Sequence, residues 1–132
     1  MEHSMTISQN QQHLTEEQQL QIIHDEIALA RKNAEPDMKL AESVKRLLQN
    51  PDFKAVVSEA YFDKEMKQIA LTISMNGNDD LVKRDVVRLK GIHCFREFLN
   101  KILKNGELAS EYMAKSDDEL VAMYQSQFDI TE

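Results

Sequence analysis

The sequence predicts an all-α protein, an irregular bundle of five or six helices that a flexible polar N-terminal arm precedes. Glycine and proline number only 3 and 2 among 132 residues, whereas a β-sandwich or barrel needs turn residues about every 8–12 positions. Gly77, Gly91 and Gly106 stand too far apart for the glycine-rich loop of a Rossmann or P-loop domain. Apolar residues make up 42% of the chain, so we expect one globular core and no room for a second.

No targeting or membrane segment is recognisable in the sequence. The first residues, Met1-Glu2-His3-Ser4, lack the basic and apolar regions of a signal peptide, and no apolar run approaches the roughly 18 residues of a membrane span. A single cysteine excludes an internal disulfide framework and is typical of a reducing compartment. We therefore expect a cytoplasmic protein without a membrane partner.

The net charge of −7 is unevenly distributed along the chain. Residues 1–35 carry −4 and residues 107–132 carry −6, whereas residues 77–106 carry +3. Solvated helix faces and polar ends account for such a pattern, but acidic ends can also seek a basic partner or mask the basic helix. Nucleic acid is disfavoured as a partner in either case, because its phosphates would repel the acidic ends.

A disordered arm and an amphipathic helix are the first two predicted segments. Residues 1–14 are polar, rich in glutamine and without periodicity, which is typical of disorder. Thr15 and Gln18 have the spacing of a capping box, and the helix that they begin is expected to cover residues 15–35. Its apolar side chains follow at spacings of three and four residues and form a narrow seam, which consists of Leu20, Ile23, Ile27, Ala30 and Ala34.

The seam has two interpretations. It can pack against the rest of its own domain, or it can dock in a groove of a neighbouring subunit. Its narrow width, the arm before it and Pro36 after it suggest docking. The candidate partner contacts on this helix are therefore Leu20, Ile23, Ile27 and Ala30.

The rest of the chain, residues 36–132, is expected to form a helical domain. Pro36 lacks an N–H group and is expected to end or kink the first helix. Asn50 and Pro51 suit the N-cap and first turn of another helix. Residues 69–75 fit a helix or a strand, and because no other segment offers a partner strand we expect a helix. The helix after Asn50 is expected to bury Phe53, Val56, Val57 and Ala60.

The longest predicted helix covers residues 80–105, between a helix end at Gly77 and another at Asn105-Gly106. Gly91 weakens its centre by about 1 kcal/mol relative to alanine and predicts a bend or a close helix crossing. Cys94 is expected to be a small core residue. The buried stripe is expected to contain Leu81, Val82, Val86, Leu89, Ile92, Phe95, Leu99, Ile102 and Leu103, with Phe98 widening it.

Two further helices are predicted after this long one. Residues 107–115 show a short helical pattern. Ser116 and Glu119 then occupy the two positions of a capping box, which predicts the start of a terminal helix.

The sequence shows no pattern of catalytic or metal-binding residues. The HExxH, CxxC, GxSxG and Walker motifs are absent. His93 and Cys94 are neighbours on a helix and point about 100° apart, so they do not form a nucleophile–base pair. His24 is expected to be half-buried beside the seam rather than a ligand. We expect no catalytic residue, no cofactor and no metal, and therefore not an enzyme.

Arg84 and Arg88 form the only basic cluster that the sequence brings to one helix face. Arginines four residues apart can hold a pair of carboxylates or phosphates, so both are candidate partner contacts. Solvated bases opposite a buried face are the alternative interpretation. A helix-turn-helix motif is not expected, because the helix after the turn at 50–51 begins with Asp52-Phe53 and is largely apolar.

Two stretches resemble small helical proteins of tailed bacteriophages. They are LLQNPDFKAVVSEAYFDKE, at 47–65, and RDVVRLKGIHCFREFLNKILKNG, at 84–106. The proteins that they resemble combine a leucine-rich helix, an Asn-Pro-x-Phe cap and an aromatic pair with a second helix of the pattern Leu-x-x-Ile…Phe-x-x-Phe-Leu. The resemblance implies a virion or assembly component, and it implies no individual functional residue.

The sequence supports two functional hypotheses. The first is a non-enzymatic phage-type structural or assembly protein that acts through protein–protein contacts, self-associates, and works in the host cytoplasm or in the virion. The second is a small acidic regulatory protein that binds a host nucleic-acid enzyme and inhibits or redirects it. The first depends on the seam and the resemblance, and the second depends on the acidic ends.

Overall fold

The computed structural model describes residues 14–131 and forms four helices, with no strand in that part of the chain. Helix α1 is Glu16–Gln49, helix α3 is Asp79–Ala114 and helix α4 is Asp117–Thr131. Helix α2 consists of three consecutive segments, Pro51–Phe53, Lys54–Glu65 and Met66–Met75. The all-α prediction is confirmed, and the count of five or six helices is wrong. The predicted arm at 1–14 lies, except for Leu14, outside the described residues.

The described chain divides into two compact units. Unit 1 comprises residues 14–35 and 110–131, and unit 2 comprises residues 36–109. Each unit has a buried apolar cluster of its own, so the expectation of a single core is wrong. The division at residue 36 coincides with the predicted start of the helical domain, but residues 110–131 group with the seam helix rather than with residues 36–109.

The two cores are built from different helices. In unit 1, Ile23 and Ile27 of α1 pack with Leu120 of α4. In unit 2, residues from α1, α2 and α3 form a larger cluster, which consists of Ala41, Val44, Phe62, Ile69, Ile92, Leu99 and Ile102.

The N-terminal caps at Thr15 and Asn50 lie where the sequence predicts them. Gln18 N–H donates to Thr15 Oγ1 and Thr15 N–H donates to Gln18 Oε1, both at 3.1 Å, which completes the predicted capping box of α1. The Asn50 side chain accepts from the N–H groups of Asp52 and Phe53 at 3.0 and 3.1 Å. These side chains satisfy N–H groups that have no partner within the helix.

Pro36 and Gly106 both lie inside helices, so the predicted helix end at Gly106 is wrong, and of the end or kink predicted at Pro36 the end is wrong. At Pro36 the missing N–H leaves the carbonyl of Lys32 without its usual helical partner. Both residues are exposed, so water can supply the missing hydrogen bond and the helix continues. At Gly106 the backbone of α3 lies so close to α1 that a Cβ there would overlap the Cβ of Ala41. The close crossing predicted at Gly91 is therefore at Gly106.

The middle segment of α2, Lys54–Glu65, is a π-helix of 12 residues. Its hydrogen bonds reach the fifth residue instead of the fourth, which widens the side-chain repeat beyond the 3.6 residues of an α-helix. The side chains that pack in the core follow this wider repeat, at intervals of four, five and four: Phe53, Val57, Phe62 and Met66.

The wider repeat explains why the predicted burial of α2 is partly wrong. An α-helical repeat that passes through Val57 would next bring Ala60 and Lys64 to the core. In the structure both are exposed, and Val56 is also exposed, at 65%. Residues 69–75 are helical, as predicted, with Ile69 buried. The helix before residue 77 has Asn76 as its C-cap, so the predicted end at Gly77 is one residue late. Asn78 accepts from the first N–H groups of α3, those of Asp80 and Leu81.

We predict that Gly106→Ala destabilises the protein by about 1–3 kcal/mol, because the added methyl group overlaps a Cβ that is fixed to a neighbouring backbone. Gly91→Ala is the matched control on the same helix, and no other atom of residues 14–131 lies within 4 Å of a Cβ at that position. It should stabilise the protein by about 0.5–1 kcal/mol through helix propensity. Urea unfolding of both variants measures the difference, and equal shifts would contradict the assigned crossing.

Candidate interaction surfaces

The seam of α1 is buried inside unit 1. Ile23 and Ile27 are 1% and 3% exposed and pack against Leu120, which is fully buried. Leu20 and Ala30 are half-buried. For the two isoleucines the structure therefore shows packing within their own chain, the first of the two interpretations, and contact with a neighbouring subunit would require unit 1 to open.

Polar contacts fix α4 against α1 beside this apolar core. Arg31 forms an ion pair with Asp117 at 2.5 Å and donates to the carbonyl oxygen of Lys115 at 3.2 Å. The hydroxyl groups of Tyr112 and Tyr124 lie 3.3 Å apart. Burial raises the pKa of Tyr112 to about 12, and the hydrogen bond to Tyr124 adds to the effect. The ion pair is solvent-exposed and contributes little, so the apolar contacts dominate.

Arg84 and Arg88 lie in unit 2 around a buried carboxylate. Asp85 is 1% exposed and is the only charged side chain buried among the described residues. Arg88 donates to Asp85 at 3.3 Å and to Glu65 of α2 at 2.8 Å, so its guanidinium bridges the two helices. Arg84 lies 3.6 Å from the same carboxylate and is more exposed than Arg88. The contact with Glu65 links α2 to α3, and the two contacts within α3 supply the partners that a buried carboxylate needs.

The bridge affects the two arginines differently as candidate partner contacts. Both guanidinium nitrogens that Arg88 would offer to a partner already bind carboxylates. Arg84 keeps most of its surface in solvent. A polar cavity of about 150 Å³ lies between them and Glu65, with Gln68, Ile69 and Thr72 as its further lining. The charges around it balance, so it has no excess of positive charge for an anion.

A second apolar surface of α3 faces solvent. Val87, Phe95 and Phe98 are 67%, 39% and 57% exposed, and Gly91 and Cys94 between them are exposed as well. We call these five residues the α3 apolar face. The buried side chains of Asp85, Ile92 and Leu99 lie on another side of the helix.

This surface corrects three predictions. Cys94, Phe95 and Phe98 were expected in the core, and all three are exposed. The physical reason is the period of the buried stripe. Its steps of seven residues, from Asp85 to Ile92 and on to Leu99, place Cys94 and Phe98 away from the core and Phe95 at its border, where the ring is still 39% exposed.

Aromatic contacts join the α3 apolar face to α2. The ring of Phe95 lies 5.5 Å from that of Phe62 and 6.4 Å from that of Tyr61, the second in an edge-to-face arrangement. The guanidinium of Arg96 lies over Phe62, 5.8 Å from the ring centre. Phe62 is buried and Tyr61 is 38% exposed, so the apolar surface extends across the groove from α3 to α2.

Sequence reasoning missed this surface although the sequence contains a signal for it. Val87, Gly91, Cys94 and Phe98 follow one another at intervals of four, three and four, which is the repeat of a helix seam. The same helix has a second apolar row for the core, and the two rows merge into one broad stripe when a single 3.6-residue period is assumed. Two separate rows on one helix predict two contacts.

The histidines and acids do not converge on a chemical site. His24 and His93 are both exposed, which corrects the expectation of a half-buried His24, and His93 Nε2 lies 3.9 Å from Glu97. No group of three or more His, Cys, Asp or Glu side chains that could hold a metal ion lies within residues 14–131. No helix in the described part of the chain is both long and apolar enough to cross a membrane.

Comparisons with models of protein families, with curated proteins and with solved structures found no match.

We predict that Ile23→Ser with Ile27→Ser lowers the melting temperature strongly, because each buried side chain contributes about 1.5–3 kcal/mol of apolar burial. The matched control is Ile22→Ser with Leu29→Ser, which makes the same kind of change at exposed positions of the same helix and should leave the melting temperature nearly unchanged. Circular dichroism and light scattering on both variants provide the test. Loss of association without loss of melting temperature would instead support docking of the seam on another subunit.

We predict that a thiol reagent labels Cys94 in the folded protein nearly as fast as in denaturant, because its side chain is exposed. The expectation of a buried cysteine would require slow labelling in the native state. Absorbance of a chromogenic disulfide reagent measures both rates. Strong protection of the native protein would mean that another molecule, or a second copy, covers the α3 apolar face.

Proposed function

We propose that the chain is a non-enzymatic structural or assembly protein of the tailed-phage type, which works as an oligomer through protein–protein contacts in the host cytoplasm or the virion. The observation that carries this proposal is the α3 apolar face. Contiguous exposed apolar side chains are unfavourable in water, and monomeric proteins rarely carry large patches of them without a binding role.

The composition of this surface supports a protein partner. Aromatic side chains are enriched at protein–protein contacts because they bury a large area with few rotatable bonds. Phe95, Phe98 and Tyr61 supply such side chains at the surface of unit 2. The stretch at 84–106, on which half of the phage resemblance depends, contains the whole face.

A second function is favoured by a different observation, the exposed acids of unit 1. Asp117, Asp118 and Glu119 are consecutive and exposed at the start of α4, and Glu16 and Glu17 are exposed at the start of α1. Helix dipoles account for acids at these positions. Such clusters also resemble the charge of nucleic acid, which is what a regulator of a nucleic-acid enzyme would imitate.

Light scattering of the full chain after size-exclusion chromatography, over a range of micromolar concentrations, separates the two functions. A structural or assembly protein should give a defined oligomer whose mass does not drift with concentration. A strict monomer that captures a nucleic-acid enzyme from a host lysate, and releases it in high salt, would support the regulatory function instead.

A further inference from the structure

We infer that the α3 apolar face is the docking site for an acidic amphipathic helix of a partner protein, which crosses α3 at Gly91. The inference rests on the proposed function, since it assumes that the chain acts through protein contacts. It adds the surface, the chemistry of the partner and the point of closest approach.

Gly91 is an exposed glycine in the interior of α3. A glycine inside a helix weakens it relative to alanine, so its presence needs a compensating contact. Gly106 has such a contact, because the backbone of α1 occupies the space that a side chain would need. At Gly91 no atom of residues 14–131 lies within 4 Å of a Cβ position. The packing of that part of the chain therefore does not use this glycine, whereas a helix from another molecule could approach closely there.

The spacing of the exposed side chains defines the shape of the partner. Val87, Gly91, Cys94 and Phe98 lie on one line along α3, at the intervals with which one helix contacts another. Twelve positions, from 87 to 98, rise about 17 Å along the axis, or about three helical turns. The rings of Phe95 and Tyr61 contact each other and border this line on the side of α2. A single amphipathic helix fits such a surface.

The charge around the α3 apolar face indicates an acidic partner. Lys83, Lys90 and Lys101 flank one edge of the line and Arg84 flanks the other, and all four are exposed. Within residues 14–131, Lys83, Lys90 and Lys101 have no ion-pair partner, and Arg84 has only the contact with Asp85 at 3.6 Å. Carboxylates on a docked helix would supply the missing partners.

The same charges disfavour a second copy as the occupant. Pairing two α3 helices through this face would bring the lysines of both copies to one interface, where like charges repel. The acids near the line do not compensate for this repulsion, because Asp80 lies at its end and Glu97 lies beside His93. We therefore assign the site to a different, acidic helix.

The test uses the full chain and two labelled synthetic peptides of about 21 residues, three heptads with leucine at the core positions. One peptide carries glutamate at the flanking positions and the other carries lysine. Fluorescence anisotropy should show binding of the acidic peptide, weakened by salt, and binding of the basic peptide at least about tenfold weaker. Equal binding of the two peptides would overturn the inference.

Variants of the protein locate the site. Phe98→Ser should weaken binding of the acidic peptide by about tenfold or more, as expected for a central aromatic contact. Leu71→Ser is the matched control, since Leu71 is equally exposed, at 59%, but lies on α2 outside the face. The control should bind as the wild type does. Loss of binding in the control as well would mean that the peptide recognises exposed apolar residues in general, which would overturn the inference.

Gly91→Ala distinguishes docking from a structural role of the glycine. It should raise the melting temperature, because alanine favours the helical conformation of α3. It should still weaken binding of the acidic peptide by about tenfold, because the methyl group keeps the partner helix away. Unchanged binding would overturn the inference.

Light scattering of the same variants separates this inference from the proposed function. If Gly91→Ala and Phe98→Ser dissociate an oligomer that does not bind the acidic peptide, the face holds a second copy, and the inference fails while the proposed function stands. If the chain is a monomer and the variants lose binding of the acidic peptide as expected, the inference stands and the proposed function as an oligomer fails. Binding of duplex DNA that the same variants abolish, without binding of the acidic peptide, would assign the face to nucleic acid and overturn the inference.

Discussion

The wide turn of the π-helix in α2 determines which side chains of that helix reach α3. Hydrogen bonding to the fifth residue advances the core-facing position from Val57 to Phe62, so an aromatic ring rather than Ala60 or Lys64 enters the core of unit 2. The same advance brings Glu65 to Arg88, at 2.8 Å. A regular α-helix through the same residues would rotate both groups away from α3, and Arg88 would lose its contact with Glu65.

The π-helix also determines what stays at the surface. Because Phe62 takes the buried position, its neighbour Tyr61 stays partly exposed at the surface, where its ring contacts that of Phe95 of α3 edge to face. π-Helix is rare and occurs mostly as single-turn bulges inside α-helices, which are frequent at functional sites. In this chain the segment lies beside an exposed surface that combines aromatic side chains with lysines that have no ion-pair partner within residues 14–131. Fold and candidate site thus depend on the same irregular turn.

The parts of the fold that could be predicted from the sequence depend on local chemistry. The caps at Thr15, Asn50 and Ser116 follow from residue types a few positions apart, and their hydrogen bonds are present. Helix at 69–75 followed from the lack of a partner strand. Pro36 and Gly106 could not be interpreted in this way. Water can supply the hydrogen bond that the helix loses at Pro36, and at Gly106 helix α3 crosses α1 next to Ala41. Both effects depend on where distant residues lie, and the sequence alone does not provide that information.

The candidate site was predicted less well, for a related physical reason. Periodicity shows that a residue belongs to an apolar row, but not which molecule the row contacts. The isoleucines of the seam were candidates for a partner and lie in the core of unit 1, whereas Cys94 and Phe98 were expected in a core and lie in solvent. Which apolar row is buried depends on how many rows there are and on how many other helices of the chain can cover them. Residues 80–105 carry two rows, and the row of Ile92 and Leu99 is the one buried in the core of unit 2. The row through Gly91 is left for something else, and glycine is the residue type that would let another backbone come close to it.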